Sequence, residues 1–355
     1  MGRKRRFVTA CRYPPKARPG DRAAVLSPSF GGPAYFPAQY ELGIERLRHE
    51  FGLTPVEFPT TRMPDASPAQ RARDIEAAFL DPEIAVVIAT LGGSDELKVL
   101  RYLNAATLAA HPKPFFGYSD NTNLLHLLFR AGVVGYHGGA VMVQWGRPGA
   151  MHPVTSDSLR RALFTSGWFE LPQSPAFTDE EQCDWSDPVS LRREPELVQA
   201  DPWEWHGPAC QTEGSAWGGC LEIIDYQLRT GRYLEPLDRY EAGVLFLETS
   251  EELPSARYVY EVLLGMGERG LLERFAAILV GRPKAWSFDR PNDAAAKVRY
   301  AADQREAVLR AVSEYNPEAV LVFNLDIGHT DPQVVIPHGG TVRVDARSRR
   351  IAVQY

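Results

Sequence analysis

Three side chains able to do acid–base or nucleophilic chemistry stand at the ends of apolar runs in this sequence. Ser119 follows Pro114-Phe115-Phe116-Gly117-Tyr118, and Glu248 closes Gly243-Val244-Leu245-Phe246-Leu247. His329 comes just after Ala319-Val320-Leu321-Val322-Phe323-Asn324-Leu325. A serine hydroxyl needs a base to become a nucleophile, and imidazole is the side chain suited to neutral pH. The imidazole needs a carboxylate to hold its tautomer and stabilise its charged form. A Ser–His–Glu set provides all three parts. The ends of buried strands are also where open α/β sheets bind their ligands.

Ser119 has the most informative surroundings. Pro114 to Gly117 reads as the end of a buried strand, and Asn123-Leu124-Leu125-His126-Leu127-Leu128-Phe129 as a helix. The serine falls on the turn between them, at a helix start whose free N–H groups favour a developing negative charge. Ser119 or Asp120 could equally serve as a plain helix cap. Asp120 and Asn121 after the serine exclude the G-x-S-x-G elbow. A second junction runs from the apolar Ile84–Ala89 into Thr90-Leu91-Gly92-Gly93-Ser94-Asp95. Glycines there let backbone N–H groups approach a reacting atom, as an oxyanion hole requires; a tight turn capped by Ser94 or Asp95 is the alternative.

Eight histidines compete for the role of base. His49, His111 and His152 read as surface residues, and His126 lies inside the helix after Ser119. His137, His206 and His338 fall in turns and stand beside His329 as candidates; composition does not choose among them. Glu248 could also open a solvated loop, because Thr249-Ser250-Glu251-Glu252 follows.

The elements that must position these residues alternate. Arg22–Leu26 reads as a strand, Tyr40–Phe51 as a helix, and Ser67-Pro68 as the cap and first turn of another helix. Leu97, Leu100 and Leu103 mark one more helix, 133–139 a short strand and turn, and Thr155–Phe164 a helix. Strands alternating with helices over residues 20–165 predict a parallel sheet covered on both faces. Residues 166–210 are broken by prolines and carry Trp168, Trp185, Trp203 and Trp205. They read as a linker and a surface loop whose tryptophans pack on an interface or meet a ligand. A second unit follows, with strands at 243–248, 275–281 and 319–325 and a closing hairpin of Thr341–Asp345 with Arg350–Val353. The expected division is a tail over 1–13, a nucleophile domain over 14–167, a linker and substrate loop over 168–210, and a C-terminal domain over 211–355.

Composition narrows the function. The 355 residues are 44% hydrophobic and 24% charged, ordinary for a globular enzyme of about two domains. A net charge of −6 argues against a nucleic-acid partner. Cys11, Cys183, Cys210 and Cys220 are too scattered for a disulfide framework or a zinc site, so no metal or cofactor is expected. The basic head, Gly2-Arg3-Lys4-Arg5-Arg6, lacks the apolar stretch of a signal peptide, and no run approaches the roughly 20 residues of a membrane span. A cytoplasmic location without membrane contact is the expectation.

Taken in order, several stretches resemble the LD-carboxypeptidase family of serine peptidases, and within it the microcin-immunity branch. They are Val25-Leu26-Ser27-Pro28-Ser29, Asp81-Pro82-Glu83-Ile84, Leu91-Gly92-Gly93, Gly117-Tyr118-Ser119-Asp120, Gly218-Gly219, Leu245-Phe246-Leu247-Glu248 and Gly328-His329-Thr330. The resemblance implies a triad of Ser119, Glu248 and His329. It implies an oxyanion hole from the N–H groups of Gly92 or Gly93 and of Asp120. It also implies an α/β fold: a flavodoxin-like N-terminal domain and a swivelling β/α C-terminal domain, in a homodimer. The implied activity is cleavage of peptide-like amides, in aminoacyl or peptidyl nucleotides of the microcin C type or in murein peptides that end in a D-amino acid. A silent nucleotide- or peptide-binding protein on the same fold is the non-enzymatic alternative. In the immunity branch a loop tryptophan stacks on adenine, and Trp185 is the matching residue. Two positions depart from the carboxypeptidase pattern: Leu91 stands where an arginine is usual, and Cys220 where an asparagine is.

Overall fold

The computed structural model describes residues 10–355. Its first sheet contains five parallel strands in the spatial order Thr54–Glu57, Arg22–Leu26, Ile84–Ala89, Phe115–Gly117, Gly135–His137. This is the 2-1-3-4-5 order of flavodoxin-like sheets. Side chains alternate across a strand, and here the two faces feed two cores. Ala23 and Val25 join Tyr40, Ile44 and Leu47 of helix Pro37–His49. Ala24 and Leu26 join Ala72, Ile75 and Phe79 of helix Pro68–Leu80. Burial on both faces explains why these strands are apolar throughout rather than alternating.

Local sequence sets the helix boundaries. Ser67 and Gln70 form a reciprocal capping box at the start of Pro68–Leu80. The helix expected over Leu97, Leu100 and Leu103 is instead two short ones, Leu97–Leu100 and Ala105–Ala110, because Asn104 caps the second.

The second sheet has four parallel central strands, Gln211–Cys220, Gly243–Glu248, Phe275–Gly281 and Val320–Leu325. The expected hairpin, Thr341–Asp345 with Arg350–Gln354, lies beside Gln211–Cys220. The architecture is therefore α/β with two domains.

Three features differ from the sequence reading. The segment 168–210 is not a free linker: Trp168–Glu170 pairs with Arg350–Gln354 at one edge of the second sheet, and Glu204–His206 with Val320–Leu325 at the other. The first sheet is not built by residues 14–167 alone, since Ile336–His338 adds an antiparallel sixth strand next to Gly135–His137. The tail expected over 1–13 lies outside the described residues as far as residue 9. Beyond it, Cys11 is buried in the core and Arg12 bridges Val133.

A glycine pair joins the domains. Gly218 and Gly219 have φ of +148° and +128°, a region that favours glycine. A Cβ on Gly219 would lie 2.6 Å from the Thr122 side chain, and one on Gly218 1.8 Å from the Phe246 carbonyl oxygen. Helix Thr122–Arg130 therefore sits directly on the second sheet. Cys220 N–H donates to Thr122 Oγ1 (3.2 Å), and Gln227 Nε2 donates to Asn123 Oδ1 (2.6 Å). The helix that follows Ser119 is thus fixed against the sheet that carries Glu248.

Candidate active site

Ser119 opens a short 3-10 turn, Ser119–Asn121, between strand Phe115–Gly117 and helix Thr122–Arg130. Its φ is +59°, in the left-handed region that non-glycine residues seldom occupy. Such strain persists where surrounding contacts impose it, and here they do. Asn121 Nδ2 donates to the carbonyls of Tyr118 (3.0 Å) and Leu91 (3.1 Å), tying the serine turn to the Gly92-Gly93 turn. Asp120 accepts from Glu96 N–H (2.9 Å), Asn123 Nδ2 (2.9 Å) and the Ser29 hydroxyl. The Asp120 side chain is therefore a structural pin of the serine turn.

Gly92 comes close to the serine. A Cβ there would lie 2.9 Å from Ser119 Oγ and 3.6 Å from Asp120 N. Among the described residues, neither Gly92 N–H nor Gly93 N–H donates to a protein acceptor. The free amides of the Gly92-Gly93 turn and the Ser119 hydroxyl thus share a cavity beside the carboxyl end of Ile84–Ala89, with Gly92 the nearer to the serine. That strand and Arg22–Leu26 form the switch point of the first sheet, the ligand crevice of such folds.

The second sheet brings the acid–base pair. Glu248 ends its strand fully buried, and Oε2 lies 2.6 Å from His329 Nδ1. Tyr118 packs against the imidazole at 4.9 Å between ring centroids. On the far side, His329 Nε2 lies 3.2 Å from Glu251 Oε2. Burial pushes the His329 pKa down, but the charges of Glu248 and Glu251, the hydrogen bond donated to Glu248 and the charge of Glu222 outweigh it. The result is a pKa raised to about 9. Ser119 and His329 line one cavity of about 860 Å³, together with Gly92, Gly93, Glu251 and Trp185.

The comparisons with known proteins follow the same two-part division. Residues 23–138 match the LD-carboxypeptidase N-terminal domain, and residues 213–344 its C-terminal domain. The chain belongs to the LD-carboxypeptidase family. It is 25% identical to the Bacillus subtilis protein YocD, assigned as a carboxypeptidase, over 95% of this chain and 97% of that one. It is 22% identical to the microcin C7 self-immunity protein MccF of Escherichia coli, over 80% of this chain and 78% of MccF. The solved structure of an MccF-like protein from Streptococcus pneumoniae in complex with AMP superposes with a TM-score of 0.81. Its identity is 25%, over 95% of this chain and 99% of that one.

In this family member the other buried or turn histidines are engaged elsewhere. His137 is buried, and its Nε2 is paired with the Ile327 carbonyl (3.0 Å). Burial lowers its pKa to about 4. His126 stacks on Trp217, and His338 is buried beside it. His206 pairs with Glu204 at the edge of the second sheet. The two departures from the family pattern also have places. Leu91 lines the cavity. Cys220 is buried; its thiol lies 3.3 Å from Glu222 Oε2, and burial and that carboxylate push its pKa well up. Trp185 lines the cavity and meets Phe36 edge-on at 5.6 Å. Sequence reasoning missed Asn121, Glu222 and Glu251. Asn121 was visible as a polar neighbour of Ser119, but its tie to Leu91 spans thirty residues and leaves no local pattern.

Proposed function

We propose that this protein is a serine hydrolase of peptide-like amides, acting on aminoacyl or peptidyl nucleotides of the microcin C type. The observation that carries the reading is a single cavity lined by a strained serine, two glycine amides, a carboxylate-bound histidine and a tryptophan. Ser119 Oγ attacks the acyl carbonyl, and His329 Nε2 takes its proton as general base. Glu248 holds the ring through Nδ1 and balances the imidazolium. The N–H groups of Gly92 or Gly93 and of Asp120 receive the oxyanion. His329 then protonates the leaving nitrogen, and water releases the acyl group by the same steps in reverse. Trp185 offers its face to the base of the nucleotide; base–aromatic stacking contributes roughly 1–3 kcal/mol. A homodimer in the cytoplasm completes the reading on the family's pattern.

The murein reading uses the same catalytic parts but gives Trp185 no base to hold. Incubating the pure protein with an aminoacyl nucleotide and with a murein tetrapeptide, and following products by mass spectrometry, separates the two. Cleavage of the nucleotide compound, lost in Ser119→Ala, is the expected result. Cleavage of the tetrapeptide alone would replace this reading by the murein one. Inertness on both would favour a binding protein.

A further inference from the structure

The nitrogen of His329 that must receive the serine proton is occupied. Nε2 faces Glu251 Oε2 at 3.2 Å, while the Ser119 hydroxyl has no hydrogen-bond partner among the described residues. Four groups with charge or titratable protons surround the ring: Glu248 on Nδ1, Glu251 on Nε2, Tyr118 against the face and His137 beyond Glu248. Glu222 stands farther back. An imidazolium held between two carboxylates keeps its proton and cannot take another from a hydroxyl.

Glu251 is held in this position. Ser250, just before it, donates N–H (3.0 Å) and Oγ (2.7 Å) to Glu222 Oε1. Just after it, the carbonyls of Glu252 and Leu253 accept from Arg290 (3.0 and 2.9 Å). Yet 56% of the Glu251 side chain is exposed, and it lines the cavity beside Ser119. The lysine that lines the same cavity, Lys284, donates to both Glu181 oxygens and to the Asp179 carbonyl; its charge reaches Glu251 only at longer range, and among the described residues no lysine or arginine forms a hydrogen bond or ion pair with the Glu251 carboxylate. The cavity lining holds three carboxylates, Glu181, Asp184 and Glu251, against Lys284 and the His329 imidazolium.

We propose that Glu251 is a specificity-determining residue: its carboxylate receives a cationic nitrogen of the acyl donor and, in turning to it, leaves His329 Nε2 to the Ser119 hydroxyl. The nitrogen is an α-ammonium or a side-chain ammonium close to the scissile carbonyl. The inference rests on the serine-hydrolase reading and adds the charge of the acyl group to it. A cationic donor is both bound and made reactive by the same carboxylate. A donor with neither ammonium leaves the base blocked.

Three sulfamoyl adenosines with lysyl, norleucyl and N-acetyl-norleucyl groups remove the cations one at a time. In the wild type at least one step should lower kcat/KM by roughly 10-fold or more, the size of one charge-assisted contact. In Glu251→Gln that step should shrink to near unity, and the neutral donor should be cleaved faster at pH 7. The ascending limb of kcat/KM, where His329 loses its proton, should also move to lower pH, since one carboxylate no longer holds that proton. Calorimetry on Ser119→Ala, with and without Glu251→Gln, gives the same ranking by binding. Equal handling of the three donors by the wild type, or an unchanged ranking after Glu251→Gln, would overturn the proposal. Absence of Ser119-dependent cleavage would overturn the hydrolase reading instead, with the binding ranking still deciding the role of Glu251.

Discussion

His329 Nδ1 and Glu248 Oε2, 2.6 Å apart, join the end of strand Gly243–Glu248 to the loop after strand Val320–Leu325 in a buried contact. The other carboxylate oxygen, Oε1, has no hydrogen-bond partner among the described residues and lies 4.0 Å from His137 Nε2. That nitrogen is already engaged with the Ile327 carbonyl. His329 is therefore the strong partner of this buried carboxylate. Glu248→Gln keeps the shape but removes the charge that holds the ring and its tautomer. Turnover should fall by roughly 10³–10⁴-fold, as for the equivalent change in other triads, with circular dichroism unchanged. Retention of more than a tenth of wild-type turnover would remove Glu248 from the mechanism.

The same contact makes stability depend on pH. The His329 pKa is raised from an ordinary value of 6.5 to about 9 in the fold. A group whose pKa is higher in the folded chain binds its proton more tightly there, so it stabilises the fold at low pH. The contribution is complete below about 6.5 and is lost as pH rises through about 9. The Tm gap between wild type and His329→Ala should be widest at pH 6 and close progressively between pH 7 and pH 10. A gap that stays constant over this range would show that the imidazolium is not held as described.

These relationships divide what the sequence discloses from what it does not. Ser119 and Glu248 are legible as strand-end candidates because apolar runs precede them, and His329 as one candidate base among several. The Gly92-Gly93 turn is legible for the same reason. The choice of His329 over His137 is not: both lie near Glu248, and what separates them is that burial and the Ile327 carbonyl claim His137. Gly218-Gly219 reads locally as the lead into a helix, while its reason lies in Thr122, about a hundred residues earlier. The antiparallel strand Ile336–His338 is hidden likewise, since three residues give no period and its partner is Gly135–His137. Long-range pairing also turned an expected linker, 168–210, into two sheet edges.

Backbone strain at the nucleophile gives a test independent of activity. Ser119 carries a Cβ at φ +59°, which costs roughly 1–2 kcal/mol relative to glycine. Ser119→Gly and Ser119→Ala both lose the hydroxyl, and both should lose turnover on the order of 10⁶-fold, as in other serine enzymes. They should differ in stability. Glycine relieves the strain, and its greater chain entropy offsets about 0.5–1 kcal/mol of the gain. Ser119→Gly should therefore unfold at higher urea concentration than Ser119→Ala. The reverse order would mean that the serine turn is not strained in solution.

Trp185 decides between the nucleotide and murein readings. Its ring lines the cavity that holds Ser119 and touches Phe36 edge-on at 5.6 Å, an arrangement that leaves a face for a ligand. If that face holds adenine, Trp185→Ala should lower kcat/KM for an aminoacyl nucleotide by roughly 10-fold or more, from the 1–3 kcal/mol of a stacking contact. Trp185→Phe should recover part of the loss because a smaller aromatic face remains. A peptide substrate has no base to stack, so its kcat/KM should change little in either variant. The contact with Phe36 allows a different outcome. A tryptophan that merely packs the 177–185 loop onto the N-terminal domain would, when removed, loosen the loop and harm both substrates alike. Its loss would also lower the Tm by more than Trp185→Phe does. The two accounts therefore part on the ratio of the two kcat/KM values across wild type, Trp185→Phe and Trp185→Ala. A ratio that stays constant while the Tm falls would end the stacking role and leave peptide cleavage as the better account of this site.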